Sequence, residues 1–187
     1  MNLNVLENGK EFLISFLPKL AIASLLIWPL VSLQAQERIG KSGLPLPRFV
    51  SLKSNPVNLR TGPGRQFPKA WIFRRAGLPV EIYEEYGDWR RIRDSEGATG
   101  WILKPLLSGR RTALVLPWNK TKSGQRTYAS LLSRGRAGSS PVAKLEAGSL
   151  VSLKSCDGQW CLIAVSSYRG YIEQKQLWGV YKDERLN

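Results

Sequence analysis

The chain contains no histidine. That removes the side chain most often used as a general base and as a metal ligand. Only two cysteines stand among its 187 residues, which excludes a four-cysteine zinc site. Beyond residue 48 no stretch keeps a helical periodicity, and no run of five like charges occurs. The nucleophile signatures G-x-S-x-G and S-x-x-K are both missing after residue 35. Glu84, Glu85 and Asp88 form an acidic cluster. Adjacent strand residues point to opposite faces, however, so Glu84 and Glu85 do not form the facing carboxylate pair of a glycosidase. No catalytic residue, metal or cofactor is expected, and the chain reads as non-enzymatic.

Long apolar runs are confined to the start. Residues 20–33 carry no charge, Lys10 and Lys19 precede them, and the small residue Ala35 follows two positions on. That is the layout of a secretory signal peptide over residues 1–35. The alternative is a retained anchor, since the 22 residues Phe12–Leu33 are long enough to span a bilayer. Both readings export the remainder to the periplasm or cell envelope. Residues 1–35 hold two charges of each sign, so the whole excess of +14 belongs to residues 36–187. Nucleic acid is not expected as a partner for an exported chain. Anionic membrane head groups and the carboxylates of peptidoglycan are available instead, and a basic balance also serves solubility.

Short apolar runs then alternate with Gly, Pro, Asp and Asn. Val80–Tyr86 and Trp89–Arg93 flank Gly87-Asp88, and Leu150–Cys156 and Trp160–Val165 flank Asp157-Gly158; both read as hairpins. A shift of 71 residues superposes Ala76-Gly77 on Ala147-Gly148, Val80 on Val151, Trp89 on Trp160 and Ile92 on Ile163. With one residue deleted, Gly100-Trp101-Ile102 falls on Gly170-Tyr171-Ile172. This is an internal duplication. Units this small close their sheets into barrels to remove exposed edges. The expected fold is all-β: two separately folded small barrels, at 49–104 and 128–181. A 105–127 linker joins them, with an extra strand near Thr112–Leu116, and Trp178 docks the tail onto barrel two.

At these residues the chain resembles the bacterial SH3-like (SH3b) family. Unit one carries Val57-Asn58-Leu59-Arg60-Thr61-Gly62-Pro63-Gly64, then Gly87-Asp88-Trp89-Arg90-Arg91-Ile92, and ends on Gly100-Trp101-Ile102. Unit two resembles a variant found in exported proteins. It carries Cys156-Asp157-Gly158-Gln159-Trp160-Cys161 and Tyr168-Arg169-Gly170-Tyr171-Ile172, but lacks the N-L-R-x-G-P core. The resemblance implies tandem SH3-like barrels and a binding or targeting module, with peptidoglycan or an envelope protein or peptide as partner. The competing expectation is an assembly protein held by its basic surface to an acidic protein or membrane.

Ligand-groove candidates are the aromatics Trp71, Tyr83, Tyr86, Trp89 and Trp160. Trp71, Tyr83 and Tyr86 have no aromatic counterpart in the other unit, so the fold does not demand them. Trp89 and Trp160 pack across their hairpins or line a groove. Trp101 and Tyr171 are expected to fill the cores, each after a glycine that admits a neighbouring backbone. Cys156 and Cys161 are expected to form a disulfide. A four-residue connection sets them face to face, whereas a two-residue loop leaves them diagonal and requires a bulge. In unit one Glu85 and Arg90 replace them, read as an exposed ionic clasp contributing about 0.2–1 kcal/mol.

Overall fold

A computed structural model describes residues 38–119 and 126–187. The expected signal or anchor segment lies outside the described residues, as does 120–125 of the connection. A short hairpin, β1 (Arg38–Ile39) and β2 (Pro45–Leu46), leads into two antiparallel sheets of equivalent topology. The first contains β3 (Arg48–Leu52), β4 (Val57–Arg60), β5 (Lys69–Phe73), β6 (Pro79–Tyr86), β7 (Trp89–Arg93), β8 (Thr99–Leu103) and β9 (Leu107–Ser108), in the order β5-β4-β8-β7-β6-β3-β9. The second contains β10 (Thr112–Val115), β11 (Tyr128–Leu132), β12 (Pro141–Glu146), β13 (Leu150–Asp157), β14 (Trp160–Val165), β15 (Tyr168–Glu173) and β16 (Leu177–Trp178), in the order β12-β11-β15-β14-β13-β10-β16. A final strand, β17 (Arg185–Leu186), adds to β13. The fold is all-β, two tandem SH3-like barrels.

Alternation explains each core. Val57, Leu59, Val80, Ile82, Ile92 and Ile102 point into the first barrel. Leu131, Val151, Ile163 and Ile172 do the same in the second. A Cβ on Gly100 would lie 2.7 Å from the Arg60 carbonyl oxygen, and one on Gly170 would lie 2.6 Å from that of Leu132. Only glycine lets those strands approach. Trp101 does not fill the core as expected. Ile102 takes the inward position, and Trp101 lies buried outside the core cluster, its ring 6.0 Å from the Arg91 guanidinium. Tyr171, its counterpart, is half-buried.

The strand Thr112–Val115 belongs to the second sheet. Ala113 pairs with Val151 as Val50 pairs with Val80, so β10 is the counterpart of β3. The connection is therefore short, and it is tied down: Arg111 donates to both oxygens of Glu184, at 2.7 and 3.1 Å, and to the Gly179 carbonyl at 2.9 Å.

Each barrel has its own core, and the two pack against one another. Phe49 of β3 meets Trp178 edge-on at 5.0 Å and Tyr181 at 4.7 Å. Trp178 thus docks the tail between the barrels and not onto the second alone. The Tyr181 hydroxyl donates to Glu81 at 3.0 Å, and Arg93 bonds the other Glu81 oxygen at 2.6 Å. Burial first, then the adjacent Glu81 carboxylate, pushes the Tyr181 phenol well above its usual range. The buried Thr112 hydroxyl donates to the Gly77 carbonyl across the junction at 2.7 Å.

Each barrel carries a clasp at the same hairpin. Cys156 and Cys161 are directly paired and joined, with a Cα–Cα distance of 4.1 Å. The four-residue connection holds. Asp157 closes it by accepting the Gln159 and Trp160 amides, and a bulge between Leu153 and Ser155 restores the parity. In barrel one the Glu85–Arg90 pair is buried, not exposed, with side chains 2% and 5% accessible. Arg48 and the Ser42 hydroxyl complete it, both at 2.7 Å from the carboxylate. Burial acts to raise the Glu85 pKa, but the hydrogen bonds from Ser42 and Arg48 and the charge of Arg90 outweigh it and hold it at about 2.

Phe49→Ala is expected to cost about 3 kcal/mol in urea denaturation and to lower the midpoints of both barrels together. For Glu85 the folded pKa is depressed, so its stabilisation is complete above pH 4.5 and lost as pH falls towards 2. The stability gap between wild type and Glu85→Gln is accordingly expected to shrink across that window in acid titrations followed by fluorescence.

Candidate functional site

Five residues, Lys69–Phe73, form the terminal strand β5, which pairs with β4 alone among the described strands. Phe73 pairs with Val57 and sits in the core, and two residues earlier Trp71 has the same parity opposite Leu59. No further described strand follows at this end of the sheet, and Trp71 is 60% exposed. It stands over a cleft of about 270 Å³ floored by Phe73, Leu78 and Pro79. One wall is the β7–β8 turn, where Asp94, Ser95, Glu96 and Ala98 line the space, and Arg75 lies beside it. The other wall comes from the second barrel, through Leu114 and Gly148.

The turn is fixed by its own sequence. One Asp94 oxygen accepts the Glu96 amide at 3.0 Å and the Ala98 amide at 2.8 Å, and Gly97 takes the left-handed conformation at φ 87°. Asp and Gly are the residues such turns require. The cleft thus combines an apolar floor, an exposed indole and a few polar groups.

The other groove candidates lie elsewhere. Tyr83 is half-buried on the outer face of barrel one, its ring 5.5 Å from the Arg91 guanidinium, and Arg91 is bonded to Glu84 at 3.1 Å. Tyr86 is exposed and directly paired with the half-buried Trp89, next to the Gly87-Asp88 turn. Trp160 lines a second cleft of about 310 Å³ at the far hairpin, with Gln159, Glu173, Lys175, Lys182 and Asp183. The five aromatics are thus dispersed, and Trp71 alone among them borders the junction of the barrels. The acidic turn Asp94–Glu96 is not evident as a site from sequence. Its one signal there is the single deletion needed to align the two repeats, which falls in this turn.

A family profile described as bacterial SH3 domain matches residues 53–109 and again 125–179. The chain belongs to the bacterial SH3 domain family. This tandem bacterial SH3 protein is also similar to the putative N-acetylmuramoyl-L-alanine amidase YrvJ of Bacillus subtilis (strain 168), at 25% identity over 126 residues. That match covers 66% of the chain and 24% of the relative, so the chain spans about a quarter of the relative's length. Two solved structures, NlpC2 and NlpC1 from Trichomonas vaginalis, share 18% and 19% identity. They cover 71% and 78% of the chain and 48% and 50% of their own, each at a TM-score of 0.31, too loose a likeness to carry an argument.

An exposed side chain adds little to stability. Trp71→Ala is expected to change the unfolding free energy by no more than about 0.5 kcal/mol, measured by chemical denaturation.

Proposed function

We propose that this bacterial SH3 pair is a non-enzymatic binding module of the bacterial envelope, exported by its N-terminal segment and recognising peptidoglycan or an envelope peptide through the cleft beside Trp71. The observation that carries the reading is an exposed tryptophan on a formed cleft, in a family of binding domains. The relative named as an amidase supports a cell-wall setting: a binding segment shared with a protein of that name suits anchoring on the wall. The other aromatic-bordered cleft, at Trp160, offers a second weak contact, and two tethered contacts gain avidity.

The +14 net charge favours a second reading, in which the basic surface holds an acidic protein or membrane. Retention on purified sacculi separates the two. Binding through the cleft predicts saturable retention that persists in about 0.5 M salt, a concentration at which screening reaches to roughly 4 Å. Trp71→Ala is expected to weaken it about tenfold or more. Retention abolished by salt and indifferent to Trp71→Ala would establish the charged-surface reading instead.

A further inference from the structure

A terminal segment docks on the clasp of each barrel. In barrel one the β1–β2 hairpin reaches Glu85, whose carboxylate accepts the Ser42 amide at 2.8 Å and the Ser42 hydroxyl at 2.7 Å. In barrel two β17 pairs Leu186 with Cys156 and Arg185 with Asp157. Glu85 and Cys156 hold the same place. Each faces its clasp partner, Arg90 or Cys161, beyond a bulge in its strand. The ionic clasp offers its docking segment a charged acceptor. The covalent clasp offers a strand edge, so docking there depends on how firmly that edge is held.

The disulfide meets the tail by two routes. Leu186 packs on the core cluster that contains both cysteines. Buried Gln174 sets its Oε1 3.6 Å from the Cys161 sulfur, while its Nε2 donates to the Tyr181 carbonyl at 2.7 Å and the Glu184 carbonyl at 3.0 Å. A Cβ added to Gly158 would come within 3.4 Å of the Asp183 carbonyl oxygen, so the turn between the cysteines lies directly against the tail. The same tail carries Tyr181, whose hydroxyl reaches Glu81 of barrel one at 3.0 Å. A chain of contacts thus runs from the sulfurs to the other barrel. Cys156 is 5% exposed and Cys161 0%, so an attacking thiolate reaches them only when the covering segments lift.

We propose that the disulfide is a redox latch for the C-terminal tail. In the dithiol form β17 detaches and the Tyr181–Glu81 contact between the barrels loosens. Oxidation docks the tail and tightens the junction. In the closing step both thiols lose their protons and an S–S bond forms. The two electrons reduce a disulfide of the oxidant to two thiols. Such exchange belongs to an oxidising compartment. By linkage, a disulfide that favours docking is itself favoured by docking to the same degree. The latch is independent of what the Trp71 cleft binds.

Hydrogen exchange on the full chain tests it. Three samples are compared: the oxidised form, the dithiol form held in excess dithiothreitol, and the Cys156→Ala/Cys161→Ala double variant. The amides of residues 184–186 are expected to exchange about tenfold or more faster in the last two, while those of β15 change by less than about threefold. Tyr181→Phe is expected to speed exchange in β6 of the oxidised protein and to have little effect in the dithiol form. Leu186→Ala is expected to speed reduction of the oxidised protein by dithiothreitol about fivefold or more. Equal tail protection in both forms, an equal effect of Tyr181→Phe in both, or a reduction rate indifferent to Leu186→Ala would overturn the latch. So would loosening of β15 to the same degree as the tail, which would make the disulfide a brace of barrel two alone.

Discussion

The carboxylate of Glu81 is buried at the junction of the two barrels, and its partners come from both. Arg93 bonds one oxygen, and the other takes its hydrogen bond from Tyr181, in the tail of barrel two. A buried carboxylate is costly unless charge and hydrogen bonds surround it. The second barrel therefore completes the first. Phe49, held between Trp178 and Tyr181, adds apolar contact at the same place. Gly179 permits the close approach: at φ 123°, a Cβ there would collide with the Thr112 carbonyl and come within 3.2 Å of Pro79.

From that junction the cleft is built. Leu114 pairs with Trp178 in the second sheet and also lines the cleft under Trp71. The strand that receives the tail is thus also a wall of the cleft. Pro79 likewise floors the cleft and touches the position of Gly179. A bacterial SH3 barrel on its own would keep Trp71 and the acidic turn but would lack the opposite wall. Duplication here does more than add a second copy: it creates a surface between the copies.

Much of this architecture is legible in the sequence because it is encoded locally. The 71-residue shift maps Pro79–Tyr86 onto Leu150–Asp157, the observed bounds of β6 and β13, since turn glycines and the tryptophans after them fix those hairpins. The disulfide is legible for the same reason. The features that escape sequence depend on contacts distant along the chain. Thr112–Val115 shares no motif with Arg48–Leu52, and only its pairing with Leu150–Ser152 marks it as a first strand. The burial of Glu85 comes from Arg48 and Ser42, about forty residues away and outside the hairpin that holds it. Residue type assigns Trp101 to the core, whereas strand parity sends it outward under Arg91. Of the aromatics weighed for a groove, Trp71 is recognisable by its missing counterpart, but its neighbours across the cleft are not.

The contacts across the junction predict that the two barrels, and the cleft between them, behave as one cooperative unit. Native-state hydrogen exchange in low denaturant tests it most directly, read on the central strands β7 and β14. The expected result is that both strands share one opening free energy, and that Tyr181→Phe lowers it in both by a similar amount. Slow exchange in β14 while β7 opens independently, with Tyr181→Phe affecting only one barrel, would contradict it.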